Sequence, residues 1–147
     1  EANIVEARRH AGGQGLDIDY RVGGAEALAG RFDLVTALEV VEHVADVRAF
    51  VAALAGAVDD DGLLILSTPN RTAWSRLVMI GLGEGTGRIP RGTHDWDRFI
   101  TPDELGARLG EVGFAVADTR GIGWTPTAGF HLIDDLSLNY LVTATRA

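Results

Sequence analysis

Three side chains able to hold a hard metal ion or move a proton fall within five residues of this chain, at Glu39, Glu42 and His43. They close the run FDLVTALEVVEHV, residues 32–44, whose first part, Phe32 to Leu38, reads as a buried strand. A strand that delivers carboxylates and an imidazole at its carboxyl end matches the place where open α/β sheets keep their ligands. Two carboxylates beside one imidazole suit Mg²⁺, Mn²⁺ or Zn²⁺, with the carboxylates favouring the harder ions. The same residues equally read as the solvated start of a helix, because a bare ExxEH is a short and common pattern.

The surrounding elements are those of an alternating chain. Ala2 to Ala11 predicts a helix, with apolar residues at helical spacing, ended by Gly12-Gly13. Ile18, Tyr20 and Val22 alternate with polar neighbours and predict a strand, closed by Gly23-Gly24. Ala25 to Leu28 is a short turn before the strand from Phe32. Asp46 is placed to cap a helix that presents Val47, Phe50, Val51, Leu54 and Val58 on one face. Asp59 to Gly62 predicts a turn, and Leu63 to Leu66 a strand buried on both faces, broken by Thr68-Pro69-Asn70. Residues 71–95 fit the alternation poorly and look like an insertion. Thr101-Pro102-Asp103-Glu104 starts a helix that runs to Val112-Gly113. Phe114 to Ile122 and Leu136 to Thr145 predict the last two strands, joined by a loop and forming an antiparallel edge hairpin.

That order predicts one doubly wound α/β domain over residues 1–147, with a mostly parallel sheet and an insertion at about 71–95. The opening helix calls for a preceding strand, so the expectation is a piece of a longer protein; the chain starts at Glu1, not at Met. A net charge of −8 argues against a nucleic-acid backbone as the main partner. The absence of cysteine excludes disulfides, a thiolate nucleophile and a Cys-ligated zinc. No run approaches the roughly 20 apolar residues that span a bilayer.

The stretches NIVEARRHA, IDYRVGGAEALAGRFDLVTALEVVEHV, DGLLILSTPNR, PRGTHDWDRFITPDEL, GFAV and NYLVTA resemble the later two-thirds of class I S-adenosylmethionine (SAM)-dependent methyltransferases. Within these the chain is similar to the ubiquinone-biosynthesis O-methyltransferases, which methylate polyprenyl catechols. EHV and STPNR are weak signals alone; ExxEH combined with GTHDWxxFITPxEL is far more specific. The family's Gly-rich SAM loop and the acidic residue that grips the ribose have no counterpart here, so the segment alone is expected to bind SAM weakly.

The resemblance implies a Rossmann-like fold, SAM as cofactor and a Mg²⁺ ion held by Glu39, Glu42 and His43. It places Leu38 against the cofactor and Ala25 and Glu26 near the adenine, although Glu26 equally suits a helix start. His94, in the GTHDW stretch, is expected to face the site and assist proton removal, with Asp95 structural. His10 and His131 are expected on the surface or in packing. A metal would lower the pKa of a catechol hydroxyl and orient it, and methyl transfer from a sulfonium relies largely on positioning. In the insertion, Trp74, Leu77, Val78, Met79, Ile80 and Leu82 make an apolar surface with Arg71, Arg76, Arg88 and Arg91 nearby. Such a segment can lie on an anionic membrane or cover a polyprenyl tail, or simply pack on the domain. The implied partners are a polyprenylated catechol or quinol, and a biosynthetic complex or second copy. The implied location is cytoplasmic, peripheral to the inner membrane. Two alternatives stay open: a metal-independent methyltransferase for another small molecule, and a non-catalytic SAM- or lipid-binding module.

Overall fold

A computed structural model describes residues 2–84, 86 and 95–147, with side chains described for 3–82, 86 and 95–147. His94, Arg88 and Arg91 lie outside the described residues. The chain begins with α1 (Ala2–Gly13), then a 3₁₀ turn at Ala25–Ala27, β1 (Phe32–Leu38) and a second 3₁₀ turn at Val41–His43. There follow α2 (Val47–Ala57), β2 (Val58–Pro69) and the short α3 (Ala73–Ser75), which runs into a π-helical stretch, Arg76–Glu84. After a turn at Trp96–Arg98 come α4 (Pro102–Glu111), β3 (Phe114–Thr125), β4 (Gly129–Ile133) and β5 (Asn139–Arg146).

The helices start where side chains can satisfy their free amides. The Asp46 carboxylate accepts from the Ala49 amide at 3.0 Å, the expected cap of α2. Thr101 and Glu104 form a reciprocal capping box with Pro102 at the first turn of α4, and Gly113 leaves that helix at φ +78°.

The five strands form one mixed sheet in the order β1-β2-β5-β3-β4. β1 and β2 are parallel, and β5 runs antiparallel to both β2 and β3. The expected α/β architecture therefore holds, with more antiparallel pairing than a mostly parallel sheet. The expected edge hairpin is also rearranged, because β5 inserts between β2 and β3 instead of closing an edge. The loop expected after Ile122 is instead strand: β3 continues to Thr125 and pairs with β4. There Gly121 is obligatory, since a Cβ would lie 1.9 Å from the Asp135 carbonyl oxygen.

Two other expectations fail for want of a partner strand or for an unforeseen one. Residues 16–22 form no strand, and Ile18 and Val22 are exposed; alternation specifies a strand only where a neighbour supplies the ladder. Asp59 to Gly62 continues β2, bulging so that Phe32 faces Val58 while Leu34 faces Leu63. β1 is half-buried, with Val35 and Ala37 inside but Phe32, Leu34 and Leu38 exposed. Its outer edge carries no strand among the described residues.

The core sits on the central strands. Leu64 and Leu66 of β2 and Val142 and Ala144 of β5 meet Val51 and Leu54 of α2 and Leu105 and Leu109 of α4. Each fully buried Leu contributes about 2–3 kcal/mol by transfer from water. Arg146 ties the far end, donating to the Ala55 and Val58 carbonyls at 3.2 and 3.0 Å.

Candidate active site

Three strand ends meet on one side of the sheet: the carboxyl ends of β1 and β2 and the start of β5. Register pairs Leu38 with Ser67 and Pro69 with Asn139. Glu39, the first residue past β1, has φ +56° and is the only described non-glycine residue in the left-handed region. Its amide donates to the Ser67 carbonyl at 3.0 Å. Its carboxylate receives the Ser67 hydroxyl on one oxygen at 2.6 Å and the Asn139 amide on the other at 2.7 Å.

Glu42 points the opposite way. Its side chain is 3% exposed and accepts from the Thr68 hydroxyl at 2.9 Å. Burial pushes its carboxyl above the ordinary range, against the opposing pull of its own backbone amide and of Thr68. Burial likewise raises the Tyr140 phenol, with the Glu104 and Glu42 charges adding to the effect. Tyr140 donates to the Ile100 carbonyl at 3.1 Å. His43 is half exposed, its Nε2 3.8 Å from a Glu42 oxygen.

Glu39, Glu42 and His43 thus adjoin one another without converging. Among the described residues no three His, Asp or Glu side chains gather closely enough to hold a metal ion. Glu39 turns toward β5, Glu42 inward, and in a 3₁₀ turn neighbouring side chains splay apart. As arranged here, the three side chains do not together form a metal site.

Two cavities flank the turn at Val41–His43. One, of about 570 Å³, lies between the Gly23–Glu26 turn and the start of α2, walled by Val40, Val44, Ala45 and Phe50. The other, of about 330 Å³, lies between Glu42 and α4, with Arg71, Arg98, Phe99 and Arg108 on its wall. The first is mainly apolar with a few polar groups at its rim, in the size range of ligand sites.

The family model for a methyltransferase domain matches residues 6–119. The chain belongs to the methyltransferase domain family. A ubiquinone biosynthesis O-methyltransferase of Methylobacterium sp. (strain 4-46) is 43% identical over 98% of this chain and 60% of its own length. One of that name from Azorhizobium caulinodans is 44% identical over 99% of this chain and 59% of its own. The chain therefore spans about 60% of the length of these curated relatives. Among solved structures, the magnesium protoporphyrin IX methyltransferase of Synechocystis with bound SAH superposes with a TM-score of 0.67 at 22% identity, covering 98% of this chain and 59% of that one. A SAM-dependent methyltransferase from Clostridium acetobutylicum gives 0.65 at 9% identity, covering 97% and 70%. These likenesses establish the methyltransferase fold.

On this methyltransferase fold, the structure brings Ala25 and Glu26 to the larger cavity, the two residues expected near an adenine. Leu38 ends β1 exposed and is not part of that wall. Asp95 caps the Trp96–Arg98 turn by accepting from Asp97, a structural role as expected. His10 bonds Gln14 at the surface and His131 the Gly129 carbonyl. Sequence reasoning missed Val40, Val44 and Phe50 as cavity walls, and Ser67, Thr68 and Asn139 as partners of the two glutamates. The only available signal was a cluster of small polar residues at the ends of apolar runs.

Proposed function

We propose that this chain supplies part of the cofactor and acceptor site of a SAM-dependent O-methyltransferase whose acceptor is a polyprenylated catechol of ubiquinone synthesis. The observation that carries this reading is the apolar cavity of about 570 Å³ opening beside the strand ends, with Ala25 and Glu26 on its wall. Its size and its hydrophobic walls suit an adenosyl group, and the Glu26 carboxylate sits at its rim. SAM supplies an electrophilic methyl group on a sulfonium. The chain's own contribution is placement: Val40, Val44 and Phe50 would exclude water around the cofactor, and the strand ends would hold the acceptor in line with it. Support for an acceptor of ubiquinone synthesis comes from the relatives, which are ubiquinone biosynthesis O-methyltransferases, and support for the tail from the insertion. Trp74, Leu77 and Leu82 there are each more than half exposed. Arg71 and Arg76 are less available to a membrane than expected, since Arg71 pairs with Glu104 and Arg76 stacks over Trp96.

The test is SAM binding by calorimetry in the full chain and in Ala45→Trp, which fills the cavity from an exposed position. The expected result is a loss of affinity of about 10-fold or more, since a filled subsite removes the corresponding burial. Equal affinity in the two proteins would show that SAM does not use this cavity. A second reading adds a divalent cation, favoured by the 3.8 Å approach of Glu42 and His43. It requires Glu39 to leave Ser67 and Asn139. Methyl transfer measured before and after chelation, with Mg²⁺ restored, separates the two.

A further inference from the structure

The Glu39 carboxylate is exposed at the strand ends yet anchored, and the anchoring is energetically unfavourable at two points. A left-handed Glu39 stores backbone strain, tolerated where surroundings over-determine it. The Asn139 amide, having committed its nitrogen to Glu39, leaves its own oxygen buried with no partner among the described residues. An orphaned buried acceptor loses its hydration with nothing in return. Rotating the amide would satisfy nothing, because its oxygen would then face the carboxylate. The placement of Asn139 is itself secured. The Asn70 amide nitrogen donates to the Leu138 carbonyl at 3.0 Å, the Asn70 side chain to the Leu136 carbonyl at 2.9 Å, and the Thr72 hydroxyl to the Ser137 carbonyl. Three backbone carbonyls just before Asn139 are therefore stitched to the segment leaving β2.

We propose that Asn139, one hundred residues from Glu39 in sequence and helped by Ser67, is a positioning residue that fixes the Glu39 carboxylate at the carboxyl end of β1, the side of the sheet where α/β folds hold their ligands. The proposal rests on the methyltransferase reading for its consequence but not for its geometry. A mere tie between strand ends would need a hydrogen bond of either polarity. A positioning role needs the charge to stay on residue 39.

The two are separated by Asn139→Ala and by the polarity swap, Glu39→Gln with Asn139→Asp, which restores the hydrogen bond with its charge moved to residue 139. Expected in the full chain is a fall in kcat of about 100-fold in Asn139→Ala, the effect of roughly 1 Å of misplacement, with KM for SAM little changed. The swap recovers the thermal midpoint but not kcat. Recovery of both, or an unaltered kcat in Asn139→Ala, would overturn the proposal in favour of a simple tie. A wild-type chain that transfers no methyl group leaves the methyltransferase reading standing, because the family's SAM loop has no counterpart in these residues. Hydrogen exchange then decides the positioning claim: the Glu39 amide exchanges about 10-fold faster in Asn139→Ala if Asn139 fixes this residue. An unchanged rate refutes it.

Discussion

Replacing Glu42 with Gln should stabilise the protein at neutral and alkaline pH. Wild-type Glu42 is almost fully buried, and burial outweighs the Thr68 hydrogen bond, so its carboxyl titrates above the ordinary range in the folded chain. The unfolded chain titrates near the ordinary value of about 4.3. Below that value both states hold the proton and stability does not depend on Glu42. Above it the unfolded chain releases the proton while the folded chain keeps it, and stability falls by about 1.4 kcal/mol per pH unit until the folded pKa is passed. Gln cannot ionise and still accepts from Thr68. A neutral hydrogen bond contributes about 1 kcal/mol less than a charge-assisted one, which offsets part of the gain. The net expectation is a higher Tm for the Gln variant at alkaline pH, where each 1 kcal/mol corresponds to about 2–4 °C in a chain of this size. The gap should close below the ordinary carboxylate range. Thermal and urea melts of both proteins across that range, in chelator-containing buffer, measure it. A Gln variant less stable than wild type in alkali, or a gap independent of pH, refutes the assignment of burial as the dominant effect.

Thr101→Ala removes the capping box of α4 and should lower stability by about 1 kcal/mol in thermal melts. Glu104, whose carboxyl the Thr101 amide holds below the ordinary range, makes that contribution pH-dependent: present above that range and lost as pH falls through the depressed pKa. In the insertion, Leu77→Asp with Leu82→Asp places two charges on exposed apolar positions. Association with anionic liposomes should fall about 10-fold while Tm holds, and unchanged association would remove the membrane reading of this segment.

Local signals named the elements whose stability is local. The Asp46 and Thr101 caps, the Gly113 exit and the apolar run at Leu63–Leu66 are each written within a few residues, and each element appears where its signal lies. ExxEH was legible as a polar cluster at a strand end, and Ala25 and Glu26 do line a ligand-sized cavity. What failed were inferences about which segments find a strand partner and in what order. Ile18 to Val22 has strand alternation but no ladder among the described residues, and β4 is a strand because β3 is beside it. β5 lies between β2 and β3 because their edges, not chain order, determine where it pairs.

The sequence alone determined the chemical inventory: two glutamates and a histidine after an apolar strand, an apolar insertion, no thiols and a net negative charge. Tertiary structure alone decided how that inventory is used. Side-chain direction past a strand end depends on one backbone dihedral and on partners far along the chain. A φ of +56° and an asparagine one hundred residues away turn Glu39 toward β5, while a 3₁₀ turn buries Glu42 beneath Thr68. Residues three apart in sequence thereby separate into an anchored surface charge and a buried acid.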